Sequence, residues 1–249
     1  MNLIIDVGNT IVKLAVFQNG NLLNVIKVPL RDLVQEIEKI FKVYPKISSV
    51  ISSSVSDLDE ELLKSTLTDV FVLSLDHNTI VPFTNLYTTP TTLGVDRIAL
   101  VSNAVNKYPK QNALIIDAGT CITYDFVNNK GEYFGGSIAP GLFLRYKSLN
   151  DYTANLPLLK PKYPNTFIGD STENAIHAGV SNGLIAEING VIEEFSNNYD
   201  PLVVILTGGD ANFLSKRLKS SIFVDPNFLL HGLNYILEYT AINDKKTNS

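Results

Sequence analysis

Two copies of one short pattern constrain the fold of this chain more than any other feature of its sequence. Residues 3–10 read Leu-Ile-Ile-Asp-Val-Gly-Asn-Thr, and residues 114–120 read Leu-Ile-Ile-Asp-Ala-Gly-Thr. Each copy is followed by a β-rich run, over residues 11–17 or 122–127, and then by a turn signal of Asn and Gly that leads into a third strand. Each half of the chain is therefore predicted to open with a hairpin meander, and the repetition indicates a duplicated domain.

Helical and strand patterns alternate after each meander. The spacing of apolar residues predicts helices at 30–41, 58–67, 98–108, 172–197 and 228–242, and buried-strand patterns predict strands at 48–53, 70–75 and 202–206. This order is typical of an α/β fold in which helices cover a mixed sheet. We expect one domain over residues 1–110, a second over 111–242 and a disordered tail over 243–249.

Composition excludes several classes of protein. The net charge is -5 and the basic residues are scattered, so nothing resembles the basic stripe that binds a phosphate backbone, and nucleic acid is not an expected partner. No apolar run approaches the roughly 20 residues of a membrane span, and Asp6 interrupts the apolar N-terminal run, which argues against a signal peptide. The single cysteine, Cys121, fits a reducing compartment. We therefore expect a cytoplasmic protein without a membrane partner.

The first copy of the pattern has the residue types of a phosphate-binding turn. Gly8 would let a phosphate approach the backbone, Asn9 and Thr10 would supply donors, and Lys13 would neutralise charge. The Asp6 carboxylate could hold the water shell of a Mg²⁺ ion. The alternative is a hairpin turn whose polar side chains satisfy local amides. Recurrence of the pattern in the second half favours phosphate binding, since two facing hairpins could clasp one nucleotide.

Two glycine-rich segments in the second half permit the same two interpretations. Thr207-Gly-Gly-Asp210 follows a buried strand and precedes a short helix, where a base or ribose could lie against bare backbone. Gly135-Gly-x-Ile-x-Pro-Gly141 also reads as a strand-to-helix turn. Either segment could equally be a structural turn, and each gains functional weight only beside the repeated Asp-x-Gly patterns.

Asp96 is the predicted general base. It lies in Gly94-Val-Asp-Arg97, before the predicted helix at 98–108, and Arg97 beside it is suited to anion recognition. The alternative is an acidic residue that complements the helix N-terminus and forms a local ion pair. The three histidines share no metal-ligand spacing, and Cys121 has no evident His partner that would make it a nucleophile.

Together these motifs resemble type III pantothenate kinase in their order and spacing, from residue 3 to about 240. The resemblance depends on the Asp6 to Lys13 loop, on Tyr87 seven residues before Gly94, and on the Gly94 to Arg97 motif. It also depends on three motifs of the second half, which are Asp117-x-Gly-Thr120, Gly135-Gly-x-Ile-x-Pro-Gly141 and Gly169-x-x-Thr172. The resemblance implies two duplicated actin-like, ribonuclease H-like domains of the acetate and sugar kinase, Hsp70 and actin superfamily. It implies ATP-dependent phosphorylation of pantothenate to 4'-phosphopantothenate, the first step of coenzyme A biosynthesis.

The resemblance also implies roles for individual residues. Asp96 matches the proton acceptor, and Asp117 matches the ligand of a monovalent cation, K⁺ or NH₄⁺, which the family needs beside Mg-ATP. The implied ATP contacts are Asp6, Val7, Gly8, Asn9, Thr10, Ile11, Val12, Lys13 and Thr120. The implied pantothenate contacts are Tyr87, Gly94, Val95, Asp96, Arg97 and Thr172.

The family consists of homodimers, and the long helix at 172–197 offers a possible interface. Asp170-Ser-Thr-Glu173 reads as its capping box. An apolar stripe runs along it and could either extend into an interface or be used in the core of one protomer. The stripe comprises Ile176, Val180, Leu184, Ile188, Val191 and Phe195.

Two other functions remain open on the sequence. A nucleotide-binding regulator could keep this fold without catalysis, because actin-like folds serve many functions. A superfamily kinase that acts on another small acceptor would share the nucleotide loops. Retention of Asp96, Arg97, Lys13 and Asp117 argues against the regulator, and Tyr87 with the Gly94 to Arg97 motif favours pantothenate over other acceptors.

Overall fold

The fold is described here from a computed structural model that covers residues 1–8, 11–54, 66–67 and 69–247, with side chains to residue 243. The described strands are β1 (Asn2–Val7), β2 (Val12–Gln18), β3 (Asn21–Val28), β4 (Ser49–Ser54), β5 (Phe71–Ser74), β6 (Thr84–Asn85), β7 (Asn112–Ala118), β8 (Cys121–Val127), β9 (Glu132–Pro140), β10 (Leu202–Thr207) and β11 (Phe223–Val224). The described α-helices are α1 (Leu33–Val43), α2 (Val95–Lys107), α3 (Leu142–Asp151), α4 (Thr172–His177), α5 (Gly183–Asn198), α6 (Ala211–Leu214) and α7 (Phe228–Thr247).

The chain divides into two compact units. Unit 1 consists of Met1–Pro109, Gly131–Tyr133 and Phe228–Ser249, and unit 2 consists of Lys110–Lys130 and Phe134–Asn227. No helix in the described residues is long and apolar enough to cross a membrane.

The sheet of unit 1 has the strand order β3-β2-β1-β4-β5. The first three strands form the predicted antiparallel meander, and β4 and β5 run parallel to β1. The centre of β1 is fully buried because both neighbours cover it and α1 packs its apolar stripe against the same core. That stripe consists of Leu33, Ile37 and Ile40.

The sheet of unit 2 repeats this arrangement. Strands β9, β8 and β7 form the second meander, followed in the sheet by β10 and β11, which run parallel to β7. A core of apolar side chains from this sheet packs against α3, α4 and α5. The second sheet has β6 as an additional edge strand beside β9. The five-strand order that the two sheets share confirms the duplicated α/β fold, in which each mixed sheet is flanked by helices.

Most described helices and strands begin or end a few residues from their predicted bounds, and two predicted helices differ more. The predicted helix at 98–108 begins three residues earlier, at Val95. The predicted helix at 172–197 contains a π-helical turn, Ala178–Asn182, between α4 and α5. Its N-cap is Ser171, whose hydroxyl accepts a hydrogen bond from the Asn174 backbone N–H at 3.3 Å, so the predicted capping box from Asp170 is wrong by one residue. The predicted helix at 58–67 lies outside the described residues except for its last two positions.

The closing helix also lies elsewhere than predicted. It was placed in the second domain, 111–242, but α7 belongs to unit 1 and packs against α2. The Asn103 side-chain amide donates to the Phe228 carbonyl at 2.8 Å, and a Cβ at Gly232 would lie 2.0 Å from the Ala99 carbonyl oxygen. Such close packing of α7 on α2 keeps the chain end in unit 1. The predicted disordered tail, 243–249, overlaps α7, which continues to Thr247.

Candidate functional site

The strand register of the unit 1 sheet places one polar residue on each side of Asp6. Asp6 lies opposite Lys13 on β2 and opposite Ser53 on β4. The Lys13 Nζ atom lies 3.5 Å from Asp6 Oδ2, and the Ser53 hydroxyl donates to Asp6 Oδ1 at 3.3 Å. Because directly opposed residues share a face of the sheet, this cluster follows from the pairing of the strands.

The Asp6 carboxylate is buried, with 7% of the residue exposed. Burial raises the pKa of Asp6, while the Lys13 charge and the Ser53 hydrogen bond oppose that rise and the nearby Asp96 charge adds to it. Unit 1 therefore places a buried carboxylate beside an ammonium group and a hydroxyl.

The predicted phosphate-binding loop connects β1 to β2. The Gly8 N–H donates to the Ile11 carbonyl at 3.2 Å. Val7 and Val12 anchor the loop in the core, while Ile11 is exposed. Asn9 and Thr10, the two predicted donors, lie outside the described residues.

Asp96 lies in the first turn of α2. Gly94 is the N-cap, and Asp96 Oδ1 accepts a hydrogen bond from the Arg97 backbone N–H at 2.8 Å. A Cβ at Gly94 would lie 2.4 Å from that oxygen, so glycine leaves room for the carboxylate to fold back on its own helix start. The helix N-terminus thus holds the Asp96 carboxylate in place.

Arg97 and Tyr87 interact beside Asp96. The Arg97 residue is 5% exposed, and its guanidinium carbon lies 5.6 Å from the centre of the Tyr87 ring. The Tyr87 ring also stacks on Tyr133, at a centroid distance of 6.3 Å. The predicted substrate residues at 94–97 therefore share the start of α2, and the cation–π contact of Arg97 connects Tyr87 to them.

Unit 2 carries the second Asp-x-Gly pattern at the end of β7. Asp117 lies opposite Thr207 on β10 and opposite Thr123 on β8. The Thr123 hydroxyl oxygen is buried, and the described residues offer it no hydrogen-bond partner. In the turn after β10, Gly208 has a φ of +92°, and a Cβ there would lie 2.4 Å from an Asp117 carboxylate oxygen. Two threonines of the neighbouring strands and the glycine turn at Gly208 therefore adjoin Asp117.

Thr120 is exposed in the turn between β7 and β8. The Gly119 N–H donates to the Cys121 carbonyl at 2.9 Å, and the Gly141 N–H donates to the Thr120 carbonyl at 3.0 Å. The motif that ends at Gly141 is mostly strand β9 rather than a turn, and its last glycine is the N-cap of α3. The N–H of Gly141, the last residue of the Gly135 to Gly141 motif, therefore supports the Thr120 turn directly.

Thr172 begins α4 and lines a groove of about 630 Å³ in unit 2. Arg145, Leu149, Ile176 and Val180 also line the groove. Its lining is mainly apolar with few polar groups, as in many small-molecule sites.

Sequence reasoning missed two polar residues of these clusters. Ser53 and Thr123 carry no motif of their own, and they join Asp6 and Asp117 only through the strand register. The pairing of the two meanders was the signal that could have found Thr123. Among the described residues, no three His, Cys, Asp or Glu side chains form a group that could hold a metal ion by themselves.

Comparison with known sequences identifies full-length relatives. A family model for type III pantothenate kinase matches residues 2–194. A type III pantothenate kinase from Christiangramia forsetii is 50% identical over 239 residues, which is 96% of this chain and 98% of that protein. Another from Flavobacterium johnsoniae is 47% identical over 244 residues, which is 98% of this chain and 100% of that protein.

Comparison with solved structures supports the actin-like fold. A Baf family protein from Campylobacter jejuni has a TM-score of 0.66 at 20% identity and covers 96% of this chain and 99% of its own. A ROK family glucokinase from Streptomyces griseus has a TM-score of 0.53 at 11% identity and covers 96% of this chain and 98% of its own. At these identities the likeness is one of fold.

Proposed function

This chain belongs to the type III pantothenate kinase family, and on that premise we propose that it transfers the γ-phosphoryl group of ATP to the primary hydroxyl of pantothenate. The observation that carries the proposal is the polar cluster at the end of β1, in which the buried Asp6 carboxylate pairs with the Lys13 ammonium and the Ser53 hydroxyl; the Asp96 carboxylate is proposed to act beside it. Phosphoryl transfer needs a positioned hydroxyl and neutralised phosphate charge, and this cluster supplies groups for both.

Asp96 is proposed to accept the proton of the pantothenate hydroxyl. The hydroxyl oxygen then forms a bond to the γ-phosphorus while the bond between that phosphorus and the β,γ-bridging oxygen breaks, which releases ADP. The Arg97 N–H bond holds Asp96 Oδ1, and Oδ2 is proposed to accept the proton. Proton removal from a hydroxyl by a positioned base typically contributes roughly 10²–10⁴-fold in rate.

The residues of the two Asp-x-Gly patterns are proposed to bind ATP. Residues 6–13 would hold phosphate oxygens through backbone N–H groups and the Lys13 ammonium. Thr120 would add a contact from its exposed turn. The glycine turn at Gly208 leaves bare backbone beside Asp117, where a nucleotide can approach closely.

Asp6 suits a Mg²⁺ ion that is bound mainly through phosphates and water. It is a single buried carboxylate beside a phosphate-binding loop, and Mg²⁺ commonly takes one or two carboxylates together with substrate oxygens. The ion would neutralise charge on the transferring phosphoryl group. Its approach would also favour the ionised form of Asp6, whose pKa burial raises.

Asp117 suits a monovalent cation such as K⁺ or NH₄⁺. Its carboxylate lies cross-strand from the Thr123 hydroxyl, a buried oxygen with no described hydrogen-bond partner, and hard cations prefer oxygen ligands. We expect activity to rise with KCl at constant ionic strength and Asp117→Asn to weaken that response. Full activity in buffer that contains only sodium or Tris would contradict the cation site.

The proposed pantothenate contacts are Tyr87, Gly94, Val95, Asp96, Arg97 and Thr172. Pantothenate carries a carboxylate, and the buried Arg97 guanidinium is a natural partner for an anion. The groove at Thr172 has apolar walls that suit the methyl groups of the substrate.

A homodimer is proposed, but through another surface than the predicted helical stripe. Ile176, Val180, Leu184 and Ile188 are buried in the core of unit 2, with Val191 and Phe195 packed against it. That stripe is therefore used within one protomer. Large apolar side chains remain exposed along residues 138–168, namely Ile138, Phe143, Leu144, Tyr152, Leu158, Phe167 and Ile168. Such exposed apolar residues are typical of an interface.

A panel of acceptors tests the proposed function. The purified protein would be incubated with ATP, Mg²⁺ and K⁺ and with pantothenate, acetate or sugars, and ADP and phosphorylated acceptor would be measured. We expect turnover with pantothenate. Turnover with acetate or a sugar alone would identify a different superfamily kinase, and ATP binding without turnover would favour a nucleotide-binding regulator.

A further inference from the structure

Arg145 connects three elements of unit 2 through charged hydrogen bonds. It lies in the first turn of α3, where its Nε donates to the Pro140 carbonyl at 2.8 Å and its Nη2 donates to Glu187 on α5 at 2.7 Å. The side chain is only 21% exposed. Its planar guanidinium fixes both bonds at once, which a flexible ammonium group would not do as well.

Glu187 is fixed from its other side by Tyr124. The Tyr124 hydroxyl donates to Glu187 Oε1 at 2.9 Å, while Oε2 binds Arg145. Burial raises the pKa of Tyr124, and its hydrogen bond to Glu187 raises it further, so the phenol remains a donor at neutral pH. With both oxygens engaged, the Glu187 carboxylate gives Arg145 a defined orientation.

The Pro140 carbonyl that Arg145 binds belongs to the same peptide group as the Gly141 N–H. That N–H donates to the Thr120 carbonyl at 3.0 Å. One peptide plane is therefore held at its oxygen by Arg145 and at its hydrogen by the turn that carries Thr120. A cation on the oxygen polarises the peptide and strengthens its N–H as a donor.

Glycine at position 141 makes this peptide plane easy to rotate. Rotation changes ψ of Pro140 and φ of Gly141, and glycine accepts φ of either sign at little cost. A Cβ at position 141 would lie 2.1 Å from the Gly119 carbonyl oxygen, so this position requires glycine and no side chain can limit rotation of the peptide plane. The bond from Arg145 to the carbonyl opposes that rotation.

We propose that Arg145 is a positioning residue for the nucleotide, which holds the Pro140–Gly141 peptide so that its N–H keeps the Thr120 turn in the shape that receives ATP. This inference rests on the proposed function, in which Thr120 contacts ATP. Arg145 itself acts through the peptide and the turn. The alternative is that Arg145 serves only to tie α3 to α5.

The test compares Arg145→Met and Arg145→Lys with a matched control on the same helix. Lys147→Met removes a surface pair, Lys147 with Asp151 at 2.7 Å, without touching the Thr120 turn. For each protein, the Kd of Mg-ATP would be measured by calorimetry, together with KM for both substrates, kcat and Tm. Exchange of the Gly141 amide hydrogen would report on its bond to Thr120.

We expect Arg145→Met to raise Kd and KM for ATP about tenfold, in line with the loss of a hydrogen bond to a charged group. The Gly141 amide should exchange faster, because its hydrogen bond to the Thr120 carbonyl is loosened. Arg145 also lines the groove at Thr172, so the KM for pantothenate does not separate the two roles. Arg145→Lys should raise the Kd of ATP by an intermediate amount, since it keeps the positive charge but loses the planar guanidinium that makes both hydrogen bonds. Lys147→Met should match the wild type.

Two results would overturn the inference. One is an ATP Kd within about twofold of wild type in Arg145→Met with a lower Tm, which would make the residue a structural tie alone. The other is a Gly141 amide that exchanges at the wild-type rate in Arg145→Met. If Arg145→Met does not fold, Arg145→Lys decides, and an unchanged ATP Kd in that variant rejects the inference. Turnover of pantothenate by the wild type tests the proposed function separately, and a wild type that binds no ATP would reject both.

Discussion

One oxygen of the Asp96 carboxylate accepts a hydrogen bond at the start of its own helix, and the carboxylate is proposed to accept the proton of the substrate hydroxyl. Asp96→Asn keeps the shape and removes the basicity, so we expect kcat to fall roughly 10²–10⁴-fold while ATP binding stays nearly intact. Asp96→Ala should also weaken pantothenate binding, because the hydrogen bond to the hydroxyl is lost. Steady-state kinetics and ATP calorimetry on the two variants provide the measurement. An Asn variant within about threefold of wild type, far short of that range, would make Asp96 an ordinary helix-terminal carboxylate.

Asp6 is a buried carboxylate, and the burial of its charge should cost stability. Burial raises the pKa of Asp6 above the usual value of an aspartate, so the folded protein holds the ionised form less well than the unfolded chain does. The resulting penalty is fully present above the raised pKa and disappears as pH falls through it towards the unfolded value. Asp6→Asn should therefore melt at the same temperature as wild type or higher at pH 7, and the difference should shrink near pH 4.

The same substitution should weaken ATP binding, because Asn lacks the charge that Mg²⁺ needs. Scanning fluorimetry over this pH range would measure stability, and calorimetry with Mg-ATP would measure binding. Asp32→Asn, a change at a surface carboxylate that is 49% exposed, serves as the control for loss of one negative charge. A lower Tm for Asp6→Asn at pH 7 would show that the Lys13 and Ser53 contacts outweigh the burial of the charge.

At the scale of single elements, the turn after β10 provides a matched pair of glycines. Gly208 has a φ of +92° and lies against Ala118 and Asp117, while a Cβ at Gly209 would meet nothing within 4 Å. Gly208→Ala should cost about 1–3 kcal/mol through strain and steric clash. At about 2–4 °C per kcal/mol for a chain of this size, Tm should fall by several degrees.

Gly209→Ala should leave Tm within about 2 °C of wild type, since Ala fits an ordinary backbone conformation there without contact. Thermal unfolding of the two variants measures the effect, and the KCl dependence of activity shows whether Asp117 has moved in Gly208→Ala. Equal stability of the two variants would contradict the strained turn.

The strands were predictable from sequence because each meander combines a buried apolar run with a turn whose chemistry is local. The start of α2 was less predictable, since Val95 and Asp96 enter the helix through the N-cap at Gly94 and carry no apolar periodicity. The π-helical turn at 178–182 was not predicted, because the i, i+4 spacing of Ile176, Val180 and Leu184 is also compatible with a regular α-helix. Local patterns therefore specified which elements exist better than they specified where the elements begin.

The partners of the site residues depended on pairing between elements, which one sequence does not reveal. Lys13 could be assigned to Asp6 because both lie in one hairpin. Ser53 could not, since its strand joins β1 only after a crossover of more than forty residues. The link from Arg145 to the Thr120 turn could not be predicted from the sequence for the same reason. It passes through the Pro140–Gly141 peptide, whose hydrogen-bond partners are set by the fold.

At the scale of the whole molecule, the position of α7 shows why the division into domains departed from the repeat. The duplication predicts that the second half ends with its own helix, whereas α7 returns to unit 1 and packs on α2. The interaction is specific, because Gly232 admits the Ala99 carbonyl and Asn103 binds the Phe228 carbonyl. Tertiary packing decided the placement of an element that the local pattern assigned to its sequence neighbours.

The last prediction concerns assembly. We expect a homodimer that uses apolar side chains of residues 138–168, because Tyr152, Phe167 and Ile168 are each at least 80% exposed and such side chains are costly to leave in water. Light scattering should return twice the 27.4 kDa chain mass at assay concentration. Phe143→Asp, which introduces a charge at a half-exposed position of α3, should shift the protein towards monomer without loss of the fold.

Val43→Asp is the matched control for that variant, since it introduces the same charge at an exposed apolar position of unit 1, where 68% of the residue is exposed. It should leave the mass unchanged, because a charge on a surface outside the interface costs little. If the wild type itself scatters as a monomer, the dimer is wrong. If Phe143→Asp and Phe167→Asp both remain dimeric, the protomers associate through a different surface, and the exposed side chains of residues 138–168 need another explanation.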